Sequence, residues 1–174
     1  NSILSCNESA SASTNAYYWG SGLYVASGNA TVSNTTVSRN IHEGIRQAGG
    51  TLTVDSSIVY FNKNSGTQIA GTVTVEYSDV QGGYPGTGNI DYNPVFGGPA
   101  CDSTDLRPVS GSLTFDSGNP DLLADDACIP PGQETSTNDM GAFGGPGNCA
   151  WSNNDTDDDG VEDALDNCIS ASNP

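Results

Sequence analysis

Between residues 22 and 80 the apolar positions come in short bursts that repeat. Gly22, Gly44 and Gly66 are spaced by 22 residues. Each precedes a short apolar strand, a turn, and a strand that alternates strictly: Ala30-Thr31-Val32-Ser33, Thr51-Leu52-Thr53-Val54 and Thr72-Val73-Thr74-Val75. A third element closes each repeat, as Thr35-Thr36-Val37, Ser56-Ser57-Ile58 and Ser78-Asp79-Val80. Ile3 takes the same place in an earlier repeat. It lies 34 residues before Val37, so a loop of about 12 residues, within Asn7 to Trp19, should bulge from a coil of normal length. No segment sustains a 3.6-residue apolar period, so the pattern predicts no long helix.

Three short alternating strands per 22 residues describe one coil of a parallel β-helix, whose backbone pairs with the coils before and after it. The expected fold is all-β: a right-handed parallel β-helix (solenoid), then an irregular C-terminal segment, then a short acidic loop. Leu23, Val32, Val37, Ile45, Leu52, Val54, Ile58, Val73, Val75 and Val80 should point inward. Asn34, Asn40, Asn62 and Asn64 fall at corners, where Asn tolerates left-handed backbone angles. A β-sandwich is the rival, and the fixed period argues against it. The chain divides into coils at 1–84, a closing segment packed on the solenoid at 85–150, and an acidic loop at 151–174.

After residue 82 the period fails, and Gly82-Gly83, Pro85-Gly86 and Gly97-Gly98-Pro99 punctuate irregular chain. Three motifs follow in order: Asn89-Ile90-Asp91-Tyr92-Asn93-Pro94-Val95-Phe96, Asp116-Ser117-Gly118-Asn119-Pro120-Asp121 and Asp139-Met140-Gly141-Ala142-Phe143-Gly144-Gly145-Pro146. Together with the coils this resembles the C-terminal end of bacterial secreted right-handed β-helix proteins, over about residues 1–148. The resemblance implies that the segment drapes Phe96, Leu106, Leu113, Phe115 and Phe143 along the solenoid. Members of that family usually carry many more coils than the three and part of a fourth seen here.

Charge sharpens the picture. The net charge is −17, and it is uneven: residues 1–84 carry five acids and three bases, and residues 151–174 carry seven acids and no base. Nucleic acid and anionic membrane surfaces need cationic contacts and are excluded as partners. Clustered carboxylates suit a hard cation. In Asp155-Thr156-Asp157-Asp158-Asp159-Gly160-Val161-Glu162-Asp163-Ala164-Leu165-Asp166, the residues Asp155, Asp157, Asp159, Asp163 and Asp166 take loop positions one, three, five, nine and twelve. Gly160 makes the sharp turn, and Val161 offers its backbone carbonyl. This is an EF-hand-type Ca2+ loop with Asp at its last position. With Asn167-Cys168 the stretch resembles a thrombospondin type 3 repeat, departing at Ile169, where that family usually has Pro. A dockerin would need a second loop.

The five cysteines form no CxxC pair, and the lone His42 completes no zinc site, so disulfides in an oxidising, extracellular compartment are expected. Proximity alone suggests Cys101–Cys128 and Cys149–Cys168, with Cys6 left over. Asn7, Asn29, Asn34 and Asn154 head glycosylation sequons. No 18-residue apolar run, signal peptide or initiator Met is present, and the chain starts within a strand pattern, which suggests a processed part of a longer secreted polypeptide.

The favoured function is a calcium-stabilised structural or adhesive module that assembles head to tail with itself or contacts cell-surface polysaccharide. The enzymatic alternative is the end of a polysaccharide lyase or hydrolase. A lyase needs a base, for which Lys63, Arg39 and Arg46 are the candidates. A hydrolase needs two carboxylates, and Asp55, Glu76 and Asp79 lie on stacked coils. Tyr17-Tyr18-Trp19 could stack on a sugar or bury against the first coil.

Overall fold

The computed structural model describes residues 1–7, 22–62, 67–99, 101 and 106–151. Among the described residues ten strands make three sheets. β1 (Ser2–Ser5), β4 (Thr35–Ser38), β7 (Ile58–Tyr60) and β10 (Asp79–Val80) form the first. β2 (Leu23–Val25), β5 (Ile45–Gln47) and β8 (Ile69–Ala70) form the second, and β3 (Asn29–Ser33), β6 (Thr51–Asp55) and β9 (Thr74–Glu76) the third. Every neighbouring pair is parallel. Each coil therefore contributes one strand to each sheet, which is a parallel β-helix and not a sandwich of antiparallel sheets. Among the described residues no helix is long and apolar enough to cross a membrane.

Register confirms the coil length and corrects its phase. Leu23 pairs with Ile45, Ala30 with Leu52 and Val37 with Val59, each 22 residues on, and Val54 pairs with Val75, 21 residues on. Leu4, not Ile3, lies beside Val37, so the first coil is one residue shorter than expected. The third element is shifted likewise at Ile58. Val59 is the inward residue, buried with Val25, Val37, Ile45, Leu52, Val54, Ile69, Val73, Val75 and Val80. Leu23 and Val32 pack against that core half-buried. Ile58 turns outward and joins Tyr60 and Met140 in a second cluster. A one-residue slip changes the face of a strand residue, so the two clusters are the two sides of one sheet. Each fully buried Val, Ile or Leu contributes about 1.5–3 kcal/mol.

The corners repeat as regularly as the strands. Asn34, Ser56 and Tyr77 hold positive φ (43°, 48° and 48°) at one corner, and Cys6, Arg39 and Phe61 (49°, 58° and 61°) at another. Gly28, Gly50 and Gly71 take the third, where a Cβ on Gly50 would strike the Gly28 carbonyl. Of the asparagines expected to adopt left-handed angles, Asn34 does so. Asn40 and Asn62 instead follow the left-handed residue and stack. Asn7 donates from N and Nδ2 to Asn40 Oδ1 (3.0 and 2.9 Å). Asn40 does the same to Asn62 Oδ1 (3.1 and 2.8 Å), and Asn62 to Gln68 Oε1 (3.1 and 2.8 Å). Gly44 recurs because a Cβ there would lie 2.5 Å from the Asn62 amide. Asn64, Gly66 and most of the expected loop lie outside the described residues.

The closing segment covers the outward face of the first sheet. Met140, Ala142, Phe143, Leu106 and Phe115 are buried, and Phe96 is half-buried, whereas Leu113 stays 49% exposed instead of draping on the coils. The disulfides are Cys6–Cys101 and Cys128–Cys149, which replaces the pairing expected from proximity. Chain distance misleads because the left-handed corner brings Cys6 beside the closing segment, where Ser5 Oγ also donates to the Cys101 carbonyl (2.8 Å). Cross-linking residues 95 apart stabilises by on the order of 4 kcal/mol in a chain-entropy account.

The asparagine stack carries a testable energy. Asn62→Ala would leave Asn40 N–H and the Val37 carbonyl without their buried partner, while the amide of residue 62 would still donate to Gln68 Oε1. Unfolding in urea should show a loss of at least about 2 kcal/mol, since each orphaned buried group costs about 1–3 kcal/mol.

Candidate functional site

The chemistry among the described residues gathers where the closing segment meets the coils. Asn89 and Ile90 of the first motif add a final rung. Asn89 Oδ1 accepts from Ser78 N (3.0 Å), and its Nδ2 donates to the Val75 carbonyl (2.8 Å). Ile90 bridges Asp79 in parallel. The turn this creates returns Asp91 and Tyr92 over β10. Tyr92 N donates to Asp79 Oδ1 (3.0 Å), and Tyr60 Oη lies 3.4 Å from Asp91 Oδ1. Asp79 is fully buried, and its Oδ2 has no hydrogen-bond partner. Burial pushes its carboxyl up to about 7; the Tyr92 N–H opposes this, and Asp91 adds to it. Burial also raises the Tyr60 hydroxyl, helped by Asp91 and Asp79.

Next to this acid pair the surface is aromatic. Tyr60 and Phe61 meet edge to face at 4.8 Å, and Phe61 lies 6.2 Å from Phe96. Arg39 sits 5.6 Å over the Phe96 ring and donates to the Gly98 carbonyl (2.6 Å). Tyr92 is 58% exposed. Rings with a carboxylate and a guanidinium at their margin can stack on a neutral sugar face. Asp79 itself is sealed from solvent and cannot touch a substrate.

The second and third motifs meet each other. Asp116 N donates to Asp139 Oδ1 (2.7 Å), and Gln133 N to Asp139 Oδ2 (2.8 Å). Asp126 Oδ1 accepts from Asp139 N (3.1 Å) and from Gly145 N. Burial raises Asp139 to about 7 and Asp126 to about 6, against these N–H donors and with help from neighbouring aspartates. The carboxylates hold backbone amides together and so fasten residues 116–145. Among the described residues, no three His, Cys, Asp or Glu converge as metal ligands.

The residues singled out from sequence fall into three groups. Asp155, Asp157, Asp159, Val161, Asp163 and Asp166 lie outside the described residues, as do Lys63 and Tyr17-Tyr18-Trp19. Asp55 and Glu76 are register partners, as stacking required. Asp55 is engaged by Ser56 Oγ (3.2 Å) and by Asn119 Nδ2 (3.3 Å), at the rim of the closing segment. Of the candidate bases, Arg46 pairs with Glu43 (3.3 Å) and Arg39 is held as described. His42 lies in the turn between β4 and β5. Asp126 escaped sequence reasoning entirely. Asp116 and Asp139 each opened a motif, and that was their signal. Comparison with known family models, curated proteins and solved structures gives no match.

These buried acids predict a pH profile. Asp79, Asp126 and Asp139 carry folded values above the unfolded 3.8, so the folded chain binds more protons between roughly pH 4 and pH 7. Their contribution to stability is full at the acid end and is lost as pH rises through 6–7. In calcium-free buffer the melting temperature should fall from pH 5 to pH 8, and Asp79→Asn should make that fall shallower. Calorimetry across the range checks both.

Proposed function

We propose that this chain is an extracellular structural or adhesive module, a disulfide-stapled solenoid braced by calcium at its acidic C-terminal stretch. The observation that carries the reading is the fastening of coils to closing segment. Cys6–Cys101, the Asn34 bond to Asn138 (2.7 Å) and the Asn138 bond to Ser56 (3.0 Å) make the two one packed body. Disulfides fit an oxidising compartment. The carboxylates on the solenoid are occupied with structure, as Asp55 is by Asn119 and Asp79 by Tyr92, which favours a scaffold over a catalyst.

For calcium, the support is the donor set. Asp155, Asp157, Asp159, Asp163 and Asp166 with the Val161 carbonyl are all hard oxygen donors, spaced as a calcium loop requires, and they resemble a thrombospondin type 3 repeat. The final Asp reaches less far than the usual Glu, so one-handed ligation and modest affinity follow. Head-to-tail self-assembly is part of the proposal. Among the described residues β1, β2 and β3 have a strand on one side only, around a hollow of about 490 Å³ lined by Leu4, Leu23 and Val32, and a further coil, of this polypeptide or of another copy, can pair there. Polysaccharide contact through Tyr92, Phe61 and Asp91 is the second reading, and the exposed rings favour it.

Calorimetric titration should show one calcium site per chain, and Asp157→Ala should abolish it. Electron microscopy in millimolar calcium should show filaments that come apart on chelation. Heat of binding that persists in Asp157→Ala removes the assigned loop, and single particles in both conditions remove the self-assembly.

A further inference from the structure

One face of the solenoid is regular and nearly free of charge in a molecule of net charge −17. In the third sheet, Leu52, Val54, Val73 and Val75 point into the core, so the alternate residues point out. Thr31, Thr53 and Thr74 stand in register across β3, β6 and β9. Beside them, Asn29 pairs with Thr51, and exposed Thr72 begins the third row two residues before Thr74. Thr31, Thr51, Thr72 and Thr74 are exposed, and Thr53 is half-buried. Thr51 Oγ1 donates to Asn29 Oδ1 (2.8 Å), linking neighbours across the rows. The acids of this sheet, Asp55 and Glu76, sit together at one rim.

These positions form a two-dimensional array with repeats of about 4.8 Å between strands and about 6.6 Å along them. Each Thr offers a hydroxyl that donates and accepts, and a methyl, on a side chain stiff at χ1. The array is therefore ordered before anything binds. What binds it must also be uncharged and periodic in two directions. The surrounding negative charge repels nucleic acid, anionic polysaccharide and a second copy laid side by side on this face. A crystalline neutral polysaccharide calls for aromatic rings under its sugar faces, and the array holds none. Crystalline water is an uncharged lattice of donors and acceptors with spacings of this size. We propose that the outer face of β3, β6 and β9 is an ice-binding surface, with Thr31, Thr51, Thr53, Thr72 and Thr74 as its contacts.

The test uses the full chain in millimolar calcium, produced without glycosylation of the Asn29 sequon. Nanolitre osmometry should show a gap between melting and freezing, with ice crystals growing as faceted forms. Thr31→Tyr and Thr53→Tyr should abolish both while leaving the thermal unfolding curve unchanged. Ile41→Tyr, at an exposed position in the turn between β4 and β5, should keep them. Thr31 is the more exposed of the two Thr sites, so its variant decides the matter if Thr53→Tyr unfolds. Rounded crystals without a freezing gap for the native chain overturn the proposal. So does full activity in Thr31→Tyr, or adsorption of the native chain to insoluble chitin that Thr31→Tyr abolishes, with no effect on ice.

Discussion

The structure depends on turning three corners per coil without abandoning backbone hydrogen bonds. A strand pairs with its neighbours through regular angles, but a corner breaks that pattern and leaves amides pointing into the stack. Here each corner is made by a left-handed residue, and at two of the three the residue after it repairs the loss. After Asn34 and Ser56 come Thr35 and Ser57, whose own amides donate to Ser57 Oγ (3.1 Å) and Ser78 Oγ (3.0 Å) of the next coil. After Cys6, Arg39 and Phe61 come Asn7, Asn40 and Asn62. The side chain thus takes over from the backbone where the ladder is interrupted, and the coils cannot shift against each other without losing it.

That constraint explains why the closing segment exists in the form it does. The first sheet carries Thr36, Ile58 and Tyr60 on its outward side, too apolar to face water as a strip. Met140 and Ala142 cover it. Gly141 crosses directly above, where a Cβ would lie 2.7 Å from Ile58 Cδ1. The amides of this irregular chain have no strand to pair with. Buried aspartates serve them instead, which is why Asp126 and Asp139 each accept two N–H bonds. A carboxylate is a strong acceptor for such amides, yet it is costly to bury charged. The raised values of both groups are the residue of that conflict.

Legibility in the sequence followed repetition. The coil length, the three strands per coil and most inward residues were readable because Thr51-Leu52-Thr53-Val54 and Thr72-Val73-Thr74-Val75 repeat one pattern. In the third element Val37 and Val80 point inward as expected, but Val59 replaces Ile58, because this pair is apolar on both sides of a sheet buried on both faces. Alternation cannot assign a face when neither face is wet. The disulfides were illegible for a different reason. Cys6 and Cys101 meet through coil stacking and closing-segment path, neither of which sequence separation encodes. Asp126 had no repeat and no motif, and its burial follows only from where Asp139 and Gly145 arrive.

The distribution of charge ties these parts together. The coils are held largely by neutral amides and hydroxyls, and residues 1–84 carry only five acids and three bases. The acids accumulate beyond them: nine in residues 85–150 and seven in residues 151–174, against a single base, Arg107. A chain with so little internal compensation opposes its own compaction there. Within the closing segment, protonation of buried aspartates and N–H donation relieve part of that cost. Residues 151–174 hold no base at all, and the calcium site proposed for them would relieve the same repulsion there.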